Sequence, residues 1–220
     1  MGRTGKDTAM NAMNPMNDLE FAALLVSRVC HDLVSPVGAV VNGLEVLEDE
    51  TDAGMRADAL RLVVQSAEQA AARLQFARIA FGAAGSAGAE LDLSEVSRKI
   101  IGLLKGGKVE LEWKGPAVNW PKDWAKLLMN ATLVGADCLP KGGRVTVEAA
   151  AEGTAPSFTV IARGPVVRLQ PEVETALLGE PRSALDGRSI QPYLTHKLAR
   201  ALNAGLTIAP SETEIRIVAG

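Results

Sequence analysis

Two long stretches of the chain carry apolar residues in alternating three- and four-residue steps. In the first, Val26, Cys30, Leu33, Val37, Val40, Leu44 and Leu47 make one seam, which predicts a single helix from residue 17 to 49. In the second, Leu60, Val63, Ala67, Ala70, Leu74, Ala77 and Phe81 predict a helix from 55 to 81, with Arg61, Gln65, Glu68, Arg73 and Arg78 off the seam. The short polar stretch Thr51-Asp52-Ala53-Gly54 between them reads as the loop of an antiparallel helical hairpin. Two narrow seams cannot close a core alone, because each helix leaves a flank in water. With each seam residue worth about 1.5–3 kcal/mol on burial, leaving half of them wet would cost an amount comparable with the roughly 5–15 kcal/mol stability of a domain. Two copies of the hairpin are therefore expected to pair into a four-helix bundle, making a homodimer. The monomeric alternative is that the C-terminal half folds back over the hairpin.

Past Phe81 the period changes. Gly82 to Gly88 contains only Gly, Ala and Ser, the clearest linker in the chain. The organisation expected is a disordered leader over 1–16, a hairpin over 17–82, a linker over 83–90 and a second domain over 91–220. In that second domain Ser94 is expected to cap a helix reaching Leu104, Val109 to Trp113 alternates as a strand, and Pro121 opens a helix carrying Trp124, Leu127, Leu128 and Ala131. Strands are expected over 144–148 and 157–162, helices over 171–178 and 190–203, and a final hairpin over 206–209 and 214–218. Strands clustered with helices on one face make this an α+β sandwich.

Composition narrows the function. The chain has 220 residues and a formal net charge of −3, with no run of Lys or Arg, so nucleic acid is not indicated as a partner. No uninterrupted apolar run approaches the roughly 18 residues of a membrane span, and no signal peptide is visible; the expected location is the cytoplasm, with no membrane partner. Cys30 and Cys138 fall in helical patterns of different domains, so reduced thiols are expected. Two His and two Cys spaced this way suggest no zinc site or other metal.

The chemistry concentrates on the first helix. His31 directly follows seam residue Cys30, and one helical residue turns the chain by about 100°, so its imidazole is expected to leave the packed face for solvent. Pro36 continues the seam on both sides although an interior helical proline costs about 3 kcal/mol. It removes an amide donor, frees the carbonyl of Asp32 and should kink the helix one turn beyond His31. Ser27, Arg28, Ser35 and Gly38 surround His31, mostly with small side chains that leave room for another protein's surface.

His31-Asp32-Leu33-Val34-Ser35-Pro36 resembles the phosphoacceptor box of sensor histidine kinases, His-Glu/Asp-Leu-x-Ser/Thr/Asn-Pro, and the surrounding sequence over 17–220 resembles ChpT-type histidine phosphotransferases. The second domain is similar to the ATP-binding domain of histidine kinases and other GHKL ATPases, best over Leu127 to Ala131 and Pro140 to Val145. In those kinases the residue at Asn130 helps to hold magnesium. Here Lys126 stands four residues earlier in place of the usual Asn or Glu, and Leu133 replaces a basic residue. The adenine-reading Asp-x-Gly-x-Gly box falls at Ala162 to Val166, with Ala162 for its aspartate and Val166 for its last glycine. Only Gly187-Arg188-Ser189-Ile190 stands where a phosphate cradle would be. One lost charged hydrogen bond costs about 1.5–3 kcal/mol, so the domain is expected to keep a kinase-like fold and to bind no ATP and no other cofactor. His196 is expected to be structural.

The resemblance implies a phosphorelay protein. His31 would be nucleophile and carrier, Asp32 would accept or orient an imidazole proton, Arg28 would balance phosphate charge, and Ser35 stands where kinases place a residue involved in dephosphorylation. The resemblance further implies that phosphate comes from the receiver of a hybrid kinase of CckA type and goes to response regulators of CtrA and CpdR type, with magnesium bound in the receiver. The receiver is expected to dock on Ser27, Val34, Gly38, Val41 and Asn42. Two other readings stay open: an ATP-dependent histidine kinase with divergent boxes, and a non-catalytic dimeric adaptor.

Overall fold

A computed structural model describes residues 16–82, 88–150, 155–181 and 184–220. The leader over 1–16, Met16 apart, and most of the glycine-rich linker lie outside the described residues. Helix α1 spans Asp18–Asp49 and runs unbroken through Pro36. A capping box starts it: the Asn17 side chain accepts from the Glu20 amide while the Glu20 carboxylate accepts from the Asn17 amide. Helix α2, Ala53–Ala80, is capped by Asp52, whose carboxylate accepts from the Met55 amide. The two pack as an antiparallel hairpin. Gly43 permits the close approach, since a Cβ there would stand 2.6 Å from Val63 Cγ2.

The seams divide in an informative way. On α1, Leu33, Val40 and Leu47 are half-buried, while Cys30, Val37 and Leu44, the other heptad position, are exposed. On α2, Val63, Ala70 and Ala77 are half-buried, and Leu60, Ala67 and Leu74 are exposed. The expected single packed seam is thus two faces. One heptad position meets the partner helix, and the other makes an exposed apolar strip along both helices, joined by Val34, Val41 and Val64.

The C-terminal half is an α+β sandwich. A two-stranded ribbon pairs β1 (Glu90–Asp92) with β3 (Asn119–Pro121); its strands of three residues are too short for alternation to mark them and were not anticipated. The main sheet has β2 (Val109–Lys114), β4 (Gly143–Ala149), β5 (Phe158–Arg163), β6 (Leu206–Pro210) and β7 (Glu214–Ala219) in the order β2-β4-β5-β7-β6. Only β2 and β4 are parallel, as their crossover through a helix requires. Helices α3 (Leu93–Leu104), α4 (Lys122–Asp137), α5 (Pro171–Leu177) and α6 (Ile190–Ala201) complete it. The cap of α3 is Asp92 rather than Ser94: the Asp92 carboxylate accepts from the Ser94 amide. The opposite face of the sheet carries charged pairs such as Lys114 with Glu112 and Glu148.

The core of this half, built on Leu93, Ile100, Leu127, Leu128, Val145, Val160 and Ile217, reaches back to Phe76, Ile79 and Ala80 at the end of α2. The C-terminal end of the hairpin is therefore a structural part of the sandwich, which covers one flank of both helices. By length and composition α1 could cross a membrane. Its apolar residues are shared between α2 and the exposed strip, however, and in its middle Arg28 is paired with Asp32 and with Asp137 of the second half.

Candidate functional site

At about 100° per residue, α1 presents four faces. One meets α2. The face of Phe21, Arg28 and Asp32 meets the sandwich, where the Phe21 ring packs edge-on against Tyr193, 6.2 Å between centroids. A third is the apolar strip. The fourth carries His31, Ser35, Gly38 and Asn42. The His31 side chain is 87% exposed, on a helix held rigidly from two other sides.

Its immediate partner is Asp32, whose Oδ1 lies 3.5 Å from His31 Nδ1. The other carboxylate oxygen, Oδ2, accepts from Arg28 Nε at 3.0 Å. Arg28 is also engaged by the second half: Nη2 donates to Asp137 Oδ2 at 3.3 Å and Nη1 to the Gly187 carbonyl at 3.1 Å. Its side chain is 16% exposed. Burial works against the charge on this guanidinium, and the Asp137 and Asp32 carboxylates more than offset it, raising its pKa above the ordinary arginine range. Arg28 is thus engaged through all three of its nitrogens, by Asp32 on its own helix and by Asp137 and Gly187 of the second half.

The remaining anticipated residues spread over two faces. Ser27 and Ser35 are exposed one turn either side of His31, Asn42 is exposed farther along the same face, and a Cβ on Gly38 would meet nothing within 4 Å. Val34, 70% exposed, and Val41, 48%, lie where this face borders the apolar strip.

Two residues were missed by sequence reasoning. Arg73 of α2 donates through Nη1 to the Asp32 backbone carbonyl at 2.7 Å, and Asp137 ends α4 beside Arg28. Both are far from His31 in sequence. The one available signal is Pro36, which announces a carbonyl in need of a donor without saying where the donor comes from.

The nucleotide-like positions are filled by packing. Asn130 is fully buried; its Nδ2 donates to the carbonyls of Ala80 and Lys126, both at 2.9 Å, and Gln191 Nε2 donates to its Oδ1 at 3.1 Å. Ala162 is buried in β5, opposite Val145 and Ile215. In the turn before α6 the Asp186 carboxylate accepts from the amides of Arg188 and Ser189. His196 stacks on Tyr193, its Nδ1 3.2 Å from the Leu177 carbonyl, and burial lowers its pKa. Among the described residues no group of three His, Cys, Asp or Glu side chains could hold a metal.

Comparison with known proteins bears directly on this arrangement. The family described as histidine phosphotransferase C-terminal domain matches residues 93–214. The protein phosphotransferase ChpT of Brucella abortus (strain 2308) is 41% identical over 204 residues, covering 92% of this chain and 95% of its own. A solved structure of a bacterial phosphotransferase superposes with a TM-score of 0.83 at 36% identity, covering 94% of this chain and 98% of its own. With an exposed histidine in a His-Asp-Leu-Val-Ser-Pro box on a helical hairpin, and an α+β sandwich matched over nearly its whole length, the chain belongs to the ChpT family of histidine phosphotransferases.

Proposed function

We propose that this phosphotransferase is the carrier of a phosphorelay, taking a phosphoryl group onto His31 from a receiver-domain aspartate and passing it to the receivers of response regulators. The observation that carries the reading is the 87% exposure of His31 beside a fixed carboxylate. A neutral imidazole has one nitrogen lone pair and one N–H. With Nδ1–H directed at Asp32, the lone pair is on Nε2, which points to solvent and can attack an acyl phosphate in line. The P–N bond forms as the P–O bond to the receiver aspartate breaks, and that aspartate leaves as a carboxylate. The imidazole keeps its Nδ1 proton, and Asp32 stabilises the positive charge that develops on the ring. The reverse sequence loads the next receiver. Magnesium, bound by the receiver, stabilises the charge of the transferred group, and this chain supplies nucleophile and orientation.

The receiver is expected to dock over Ser27, Ser35, Gly38 and Asn42, with Val34 and Val41 at its margin. The relay partners implied are the receiver of a CckA-type hybrid kinase and regulators of CtrA and CpdR type. A relay without ATP is supported by Asn130, whose amide is consumed by two backbone carbonyls, and by Ala162, buried where adenine would need an acceptor. The exposed strip on α1 and α2 supports a homodimer built through a four-helix bundle, and the expected location is the cytoplasm. Incubation with a radiolabelled phospho-receiver tests the function: the wild-type chain takes the label, and His31→Gln, folded and of unchanged oligomeric state, takes none. Equal labelling of the variant would refute the assignment.

A further inference from the structure

Asp32 is held from both ends. Arg73 fixes its backbone carbonyl, and Arg28 fixes its carboxylate. An exposed ion pair between residues four apart on a helix is by itself a weak restraint, and Arg28 with Asp32 alone would be one. What differs here is the far side of Arg28. Asp137 is the last residue of α4, a helix buried along most of its length, and Gly187 belongs to a turn locked by the Asp186 carboxylate, which accepts from the amides of Arg188 and Ser189 and from Ser189 Oγ. One guanidinium thus bridges the phosphoacceptor helix to two elements of the sandwich, and its Nε donates to Asp32 Oδ2, leaving Oδ1 toward His31.

We propose that Asp137 is a positioning residue for phosphotransfer: through Arg28 it holds the Asp32 carboxylate against His31, so that the α+β sandwich sets the orientation and tautomer of the phosphoacceptor imidazole. The inference rests on the reading of His31 as phosphoacceptor. It gives the sandwich a part in the chemistry that needs neither nucleotide nor contact with the reacting atoms.

The test is a double-mutant cycle in the rate of transfer from a saturating radiolabelled phospho-receiver of a CckA-type kinase, using the full chain. Asp137→Ala is expected to slow transfer about tenfold, the effect of one charge-assisted hydrogen bond. In an Asp32→Ala background the same substitution is expected to have no further effect, because Asp137 acts through Asp32. The isosteric Asp137→Asn carries the cycle if the alanine variant melts early. The independent readout is the ¹⁵N spectrum of the His31 ring, where the Nδ1–H tautomer should lose population both in Asp32→Ala and in Asp137→Asn, which a merely structural contact would not produce. A rate for Asp137→Asn within about twofold of wild type, the tolerance for independent sites, or slowing that multiplies with that of Asp32→Ala, overturns the proposal. If the wild-type chain takes no label on His31, the phosphoacceptor reading fails instead, and the tautomer spectrum still decides whether Asp137 orients the ring.

Discussion

Arg73 Nη1 donates to the Asp32 backbone carbonyl at 2.7 Å, the carbonyl that would accept from residue 36 in an uninterrupted helix and cannot, because residue 36 is proline. The helix gives up an internal bond one residue from the phosphoacceptor, and the neighbouring helix supplies the replacement. Arg73→Ala should therefore destabilise the hairpin by about 1.5–3 kcal/mol, the range for a hydrogen bond to a charged donor. In a Pro36→Ala background an amide satisfies Asp32 again, and the cost of Arg73→Ala should shrink by about 1 kcal/mol or more. Urea unfolding of the four proteins measures this coupling, and additive effects would show that the two residues do not share the carbonyl.

Nucleotide binding offers a second check. Titration calorimetry with ATP and magnesium should give no saturable heat. Asn130→Ala should leave that result unchanged while lowering the melting temperature, since the Ala80 carbonyl would lose its side-chain donor inside the core at about 1–3 kcal/mol. Micromolar ATP affinity in the wild-type chain would revive the kinase reading.

The exposed strip predicts the assembly. Leu44→Glu and Leu60→Glu each place a charge where half of a helical seam faces out, and sedimentation should show a shift from dimer to monomer with helix content kept. Dimers of unchanged affinity would move the interface elsewhere.

The two thiols report on the same surfaces. Burial, with a smaller contribution from the Asp137 carboxylate, pushes the Cys138 thiol up to about 12, so at pH 8 only about one molecule in ten thousand carries the thiolate. Cys138 should react with a disulfide reagent only on unfolding. Cys30, on the exposed strip, should react readily in the Leu44→Glu protein and slowly in the dimer. Rapid native labelling of Cys138 would contradict the packing at the end of α4.

How much of this was readable beforehand follows the range of the interactions. Heptad spacing located both helices of the hairpin and placed His31 off the packed face, because one hundred-degree step is a local property of a helix. The same spacing did not say which half of each seam meets the partner helix, since Cys30 and Leu33 are equally apolar and differ only in where α2 lies. Alternation found the five strands of the main sheet but not the short ribbon, and Asp92 displaced Ser94 as a cap because either residue can serve. Pro36 and the free Asp32 carbonyl were visible in the chain. Arg73 and Asp137, forty and more residues away, became neighbours of that site only through the packing of the hairpin on the sandwich.

The central claim is that one exposed imidazole carries phosphate it does not draw from ATP. Its most direct test is to load the protein from a phosphorylated receiver and map the modification by mass spectrometry, with the label's stability followed at both extremes of pH. The account predicts a single acid-labile, base-stable phosphoryl group on His31, transferable to a second receiver. Label on another residue, or label acquired from ATP alone, would contradict it.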